Sequence, residues 1–348
     1  MKVDAFDFEL PGQLIAQRPV SPRDAARLLH IGNGLHDHVM GDLADLLGVG
    51  DILVFNDTRV IPARLTGRRN DARAEVTLIK RQTPDTWRAL ARPARKLRIG
   101  DRVDFAPGFW CRVTAKGQGE DKGGEVTLTF NKGGGDLKAA LDQYGAMPLP
   151  PYIKRDGGTD ERDKEDYQTM FAQKDGAVAA PTAALHFTPA LMAALERRAI
   201  GKTFLTLHVG AGTFLPVKAA DTKDHVMHPE WGAISEPAAE KINSARQRGG
   251  KVVAVGTTSL RLLEAAASDD GEVQAFEGET DIFITPGYRF RAADMLVTNF
   301  HLPRSTLFML VAAFSGLDTM KRAYGHAKEK GYRFYSYGDA CLLERRTP

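Results

Sequence analysis

The stretch Lys202–Val217, KTFLTLHVGAGTFLPV, opens as an aliphatic and β-branched run from Thr203 to Leu207 and breaks at His208 into a turn holding Gly210 and Gly212. A buried strand that stops at a histidine beside two glycines presents one titratable group next to backbone that a ligand can approach closely. A tight turn that carries a histidine by accident has the same pattern. The recurrence of the pattern downstream decides the fold class. Lys251–Val255 reads as a strand, ends in Gly256-Thr257-Thr258-Ser259 and enters a helix over Leu260–Ala267. Asp281–Ile284 reads as a strand before Thr285-Pro286-Gly287. Met295–Val297 reads as a strand ending in Asn299–Ser305, ahead of the apolar helix Thr306–Phe314. A helix over Glu236–Arg248 has Ser235 as its cap and Gly249-Gly250 as its stop. Strands alternating with helices form parallel βαβ units, whose carboxyl ends share one rim. His208, the Gly256–Ser259 loop and Asn299–Ser305 are expected to meet on that rim.

Upstream, Ile52–Phe55 is a short apolar run that suits a fully buried strand. It ends in Asn56-Asp57-Thr58-Arg59, which is either a site edge or an Asx turn in which the side chains bond their own backbone. Arg27–Ile31 and Leu35–Val39 flank Gly32-Asn33-Gly34 and predict a hairpin.

The texture changes between about Ala63 and Phe130, where short strand-like segments are separated by Gly, Pro and Asp. In Glu125–Phe130 apolar Val126, Leu128 and Phe130 alternate with polar residues, the period of a strand with one wet face. These segments predict a small antiparallel barrel or sandwich. The predicted architecture is α/β. An α/β-barrel-like large domain, residues 1–62 and 151–348, carries an inserted antiparallel β-barrel, residues 63–150.

Charge follows the same division. Arg59 to Lys116 holds 15 Lys and Arg against 5 Asp and Glu, while the 348-residue chain has a net charge of only +3. Such a concentration is a footprint for phosphates, or else a solvated basic face. Arg92, Arg95, Lys96 and Arg98 are its densest part. The two cysteines, Cys111 and Cys341, have no partner at ligand spacing, which excludes a disulfide framework and a cysteine-based metal site. No apolar run reaches membrane-spanning length, and the acidic amino terminus does not have the form of a signal peptide.

Three histidines, His186, His208 and His301, lie at turns or strand ends, where imidazole can move protons near neutral pH. Any one of them has a structural alternative as a satisfied core histidine. Gly256-Thr257-Thr258-Ser259 opens a helix, so its N–H groups and hydroxyls offer an anion site. It has neither the Walker lysine nor the dinucleotide glycine spacing. Arg261 and Arg304 are positioned to pair with an anion, or else to lie on the surface with their stems packed down.

Six motifs in one order complete the reading: Asn56-Asp57-Thr58-Arg59-Val60, Pro181-Thr182-Ala183-Ala184-Leu185-His186-Phe187, Leu207-His208-Val209-Gly210-Ala211-Gly212-Thr213-Phe214, Gly256-Thr257-Thr258-Ser259, Asp281-Ile282-Phe283-Ile284 and Asn299-Phe300-His301-Leu302-Pro303. With them the chain closely resembles the S-adenosylmethionine:tRNA ribosyltransferase-isomerase family of the queuosine pathway. The resemblance implies an α/β-barrel-like domain with a small β-barrel inserted. It also implies transfer of the ribosyl part of S-adenosylmethionine onto a 7-aminomethyl-7-deazaguanine at the tRNA wobble position. Isomerisation gives epoxyqueuosine and releases adenine and methionine.

On that basis His208 is expected to be the base, with His186 or His301 protonating adenine. Thr257, Thr258 and Arg304 would hold the methionine carboxylate or a tRNA phosphate. Asn56 and Asn299 would read a base edge or ribose hydroxyls. Thr58, Arg59, Gly210, Gly212, Ser259 and Arg261 complete the expected substrate contacts, and Arg92, Arg95, Lys96 and Arg98 the tRNA contacts. The expected protein is a cytoplasmic monomer with no metal and no prosthetic group, using S-adenosylmethionine as co-substrate and tRNA as partner. Two other classes remain open: a non-catalytic tRNA-binding module, and a barrel enzyme acting on a small anion.

Overall fold

Ile52–Asn56 is buried along its whole length, and a strand with no wet face belongs inside a sheet covered on both sides. The computed structural model, which describes residues 1–117, 124–155, 160–210, 217 and 219–346, places it there. In chain order the strands are β1 (Arg27–Ile31), β2 (Leu35–Val39), β3 (Ile52–Asn56), β4 (Thr58–Val60), β5 (Arg64–Arg69), β6 (Ala72–Arg81), β7 (Thr86–Arg92), β8 (Arg102–Ala106) and β9 (Phe109–Lys116). They continue as β10 (Glu125–Phe130), β11 (Lys174–Ala177), β12 (Gly201–Leu207), β13 (Glu230–Ile234), β14 (Val252–Val255), β15 (Phe276–Thr280), β16 (Met295–Asn299) and β17 (Ala340–Glu344). The helices are α1 (Leu43–Leu46), α2 (Gly134–Tyr144), α3 (Asp163–Asp166), α4 (Pro189–Arg197), α5 (Glu236–Gln247), α6 (Thr257–Ala266), α7 (Thr306–Ser315) and α8 (Leu317–Glu329).

Nine strands form the large sheet in the order β15-β13-β12-β3-β14-β16-β17-β1-β2. Its middle, β12-β3-β14-β16, is parallel. Alternate residues of β3 serve opposite cores. Ile52 and Val54 pack with Ile242 of α5, Leu260 of α6 and Phe308 of α7. Leu53 and Phe55 pack with Leu43 of α1 and Leu191 of α4. Six antiparallel strands, β10-β7-β6-β5-β8-β9, close into a barrel. Its inward residues, among them Val76, Ala89, Val113 and Leu128, make a separate core that Leu137 and Leu141 of α2 share.

The α/β class with a small antiparallel barrel is therefore observed. The large sheet, however, has two ends, β15 and β2, and does not form a ring among the described residues. The expected strand Asp281–Ile284 is also displaced. The strand is β15, five residues earlier, pairing antiparallel with β13. Glu277 and Glu279 give it a wet face, as suits a strand at the sheet edge. Asp281–Ile284 instead leaves the sheet as extended chain. Among the described residues no helix is long and apolar enough to cross a membrane.

Candidate active site

The parallel strands end side by side at Asn56, Leu207, Val255 and Asn299, and the residues just beyond them carry the chemistry. Asn56 is fully buried. Its Nδ2 donates to the Leu207 carbonyl at 2.9 Å and to Thr258 Oγ1 at 3.4 Å. Its Oδ1 accepts from the N–H groups of Leu207 at 3.0 Å and Thr58 at 3.1 Å. The side chain fastens the ends of β3, β12 and α6 together and has no polar atom left over for a base edge. The Asx-type reading therefore describes Asn56, and the ligand-reading role expected for it does not fit.

His208 stands beside this fastening. Its Nδ1 lies 2.8 Å from Thr58 Oγ1. Its ring stacks on Trp231 with centroids 5.1 Å apart and planes 21° apart. Gly176, with φ +149°, packs close against the ring. A Cβ there would lie 2.8 Å from the Cε1 and Nε2 atoms of His208 and 2.9 Å from Cδ2. When Nδ1 carries the proton it donates to Thr58, whose hydroxyl can turn to the Lys174 carbonyl 3.5 Å away. Nε2 then keeps its lone pair. Burial pushes the His208 pKa below the usual imidazole value, with the Asp175 carboxylate pulling the other way. Burial favours the neutral ring because it disfavours charge.

The imidazole borders a cleft of about 1280 Å³ between the sheet and the barrel. The barrel side is mixed, with Trp87, Leu90 and Leu137 beside Lys80, Arg88 and Glu125. On the sheet side His208, Gly210, Glu230, Thr257, Thr258 and Arg261 sit among apolar Ile282, Phe283 and Leu310. Two ion pairs cross the cleft's edges: Lys80 of β6 with Glu279 of β15 at 2.5 Å, and Lys138 of α2 with Asp175 of β11 at 3.0 Å. Arg261 is buried, ion-paired to Glu230 and donating from Nε to the Ile282 carbonyl at 3.2 Å. The Gly210 N–H donates to Glu230 at 2.9 Å. Gly212 lies outside the described residues.

Other expected site residues are placed elsewhere. His186 is buried away from the cleft, its Nε2 3.1 Å from Asn299 Nδ2, and Asn299 accepts from Thr182 Oγ1 at 2.9 Å. His301 is buried too, its Nε2 2.8 Å from Thr298 Oγ1. Burial holds both imidazoles at a pKa of about 3, helped at His186 by Arg333 and Arg23. The rim beyond β16 does not converge on the cleft. The turn Thr182–His186 covers the end of that strand, and Tyr324 takes the His301 N–H at 2.8 Å. Arg304 pairs with Asp4 at 2.5 Å and tethers the amino-terminal turn rather than an anion. Arg59 is exposed, donating to the Ala172 carbonyl at 2.9 Å, and Ser259 is fully buried behind the cleft wall. Sequence alone does not reveal Trp231, Glu230, Asp175, Gly176, His225 and His228, all of which border the cleft. No local pattern marks them, because they reach the cleft through strand pairing and loop packing.

His301→Gln is expected to lower the melting temperature and leave the pH profile of turnover unchanged, because it removes one buried hydrogen bond far from the cleft. A lost limb in that profile would return His301 to the chemistry.

Residues 3–343 match the family model described as queuosine biosynthesis protein. The chain belongs to that family. A relative from Rhodospirillum rubrum, named S-adenosylmethionine:tRNA ribosyltransferase-isomerase, is 62% identical over 99% of this chain and 98% of its own length. One of the same name from Afipia carboxidovorans is 59% identical over 100% and 99%. The crystal structure of the S-adenosylmethionine tRNA ribosyltransferase of Thermotoga maritima is 34% identical, with a TM-score of 0.55 and coverage of 97% and 99%. The protein is thus an enzyme of the ribosyltransferase-isomerase family, and the cleft is where its geometry concentrates chemistry.

Proposed function

We propose that this enzyme transfers the ribosyl part of S-adenosylmethionine to 7-aminomethyl-7-deazaguanine at the tRNA wobble position and closes it to the epoxycyclopentanediol of epoxyqueuosine. The observation that carries the reading is His208, held by Thr58, Trp231 and Gly176 with one nitrogen left for the cleft. A sulfonium acidifies the carbon beside it. Nε2 of His208 removes that proton, adenine departs from the anomeric carbon with acid help, the aminomethyl nitrogen of the tRNA base bonds to that carbon and gives up a proton, and closure of the epoxide expels methionine. Each of these steps is served by a positioned acid or base. His186 and His301 do not border the cleft, whereas His225 and His228 do; burial lowers the His225 pKa, which favours His228 as the group that gives adenine its proton.

In this reading residues 1–62 and 151–348 form the catalytic unit and residues 63–150 the unit that grips tRNA. Arg92, Arg95, Lys96 and Arg98 are exposed, with the Asp101 carboxylate near the last of them. Phosphates are their natural counter-charges. The enzyme works as a cytoplasmic monomer, consistent with a tRNA substrate.

The direct test is mass spectrometry of tRNA carrying the aminomethyl base after incubation with enzyme and S-adenosylmethionine. The epoxyqueuosine mass supports the reading, and an unchanged nucleoside refutes it. Replacing Arg92, Arg95 and Lys96 by alanine together is expected to weaken tRNA binding and to flatten the log–log salt dependence by about 2 to 3, roughly one for each phosphate no longer neutralised. An unchanged slope removes this loop from the binding face.

A further inference from the structure

We propose that the amino end of α6 and Arg261 form the subsite for the α-carboxylate of S-adenosylmethionine. The inference rests on the reading that this cleft binds that molecule. α6 is ten residues long, and its cap is Gly256 at φ +90°, which has no side chain to satisfy the first turn. The Gly256 carbonyl accepts from Leu260 N–H at 3.1 Å. The N–H groups of Thr257 and Thr258, two residues that border the cleft, come before any intrahelical acceptor, at the positive end of the helix dipole.

Arg261 supplies the independent observation. It is only 5% exposed. Nη1 is engaged by Glu230 and Nε by the Ile282 carbonyl, but Nη2 is buried with no partner among the described residues. Buried donors left without an acceptor are uncommon and unfavourable. Arg261 lies one turn beyond Thr257 and therefore on the same face of α6. Both residues border the cleft together with Thr258 and His208.

A planar guanidinium beside a row of N–H groups matches a carboxylate in shape and charge. Asn56 fixes the spacing of the two ends of the site. It donates both to the Leu207 carbonyl, next to His208, and to Thr258.

The test is calorimetric binding of S-adenosylmethionine and of decarboxylated S-adenosylmethionine to the full chain. Saturating tRNA with an ordinary guanine at the wobble position is present, so that no turnover intervenes. Wild type is expected to favour the carboxylated compound by at least about tenfold. Arg261→Gln should reduce that preference to under about threefold while binding the decarboxylated compound nearly as wild type does. Thr257→Pro gives a second route if Arg261→Gln does not fold, because proline is tolerated at the first helical position and removes one N–H. It too should lower the preference. A wild type without preference, or variants that weaken both compounds equally, overturns the carboxylate assignment. A wild type that binds neither compound overturns the reading of the cleft as well.

Discussion

His208→Ala is expected to lower kcat about a hundredfold to ten-thousandfold with modified tRNA and S-adenosylmethionine both saturating, the usual contribution of a positioned general base. The fold should survive, because the ring lies at the cleft rather than in a core. The pH dependence gives the sign of the role. A base must be neutral to accept a proton, and burial lowers the His208 pKa. The acid limb of kcat/KM, which reports the free enzyme, should therefore fall below the ordinary imidazole range, with activity kept as pH drops through the value for free histidine. Asp175 favours the imidazolium, so Asp175→Asn should move the limb further toward acid. A loss of less than tenfold in His208→Ala, or a limb that moves the other way in Asp175→Asn, removes His208 from the base position.

That role depends on residues that differ greatly in how readable they are. The strand before His208 is visible in the run Thr203–Leu207, because alternation and β-branching are local properties. The cap of α5 is local in the same way: Ser235 accepts from the Ala238 N–H at 3.4 Å. The barrel strand Glu125–Phe130 matches its expected bounds because its wet and dry faces alternate without a break. The contents of the cleft are not local. Trp231 reaches His208 because β13 pairs with β12, Leu207 opposite Gly232. Gly176 reaches it because β11 lies along β4. Histidine at a strand end cannot by itself distinguish His208 from His301, since the difference lies in Tyr324 and Thr298 covering the latter. Charge misleads in one place. Arg304 reads as free for an anion, but Asp4 and Asp7, three hundred residues earlier, claim it.

The other large effect is expected at Asn56, where fold and site share one side chain. Asn56→Ala removes four hydrogen bonds at a position with no access to water. The N–H groups of Leu207 and Thr58 lose their acceptor, and the Leu207 carbonyl loses a donor. Each buried polar group left unmatched costs about 1–3 kcal/mol, so a total loss of several kcal/mol is expected, with partial relaxation of the strand ends. Turnover should fall too, because Thr58 and Leu207 set where His208 stands. Asn56→Asp separates the two halves of the network. It keeps the acceptor for both N–H groups but turns a donor toward the Leu207 carbonyl into a carboxylate oxygen. Facing a carbonyl in a dry site, that carboxylate is held above its usual pKa. A raised folded-state pKa means stability that is present at low pH and lost as pH rises through that value. The Asp variant should therefore be closer to wild type in chemical denaturation near pH 5 than near pH 8, while the Ala variant keeps a constant deficit. If both variants unfold at the wild-type denaturant midpoint, Asn56 does not fasten the strand ends, and its amide is available to a ligand after all.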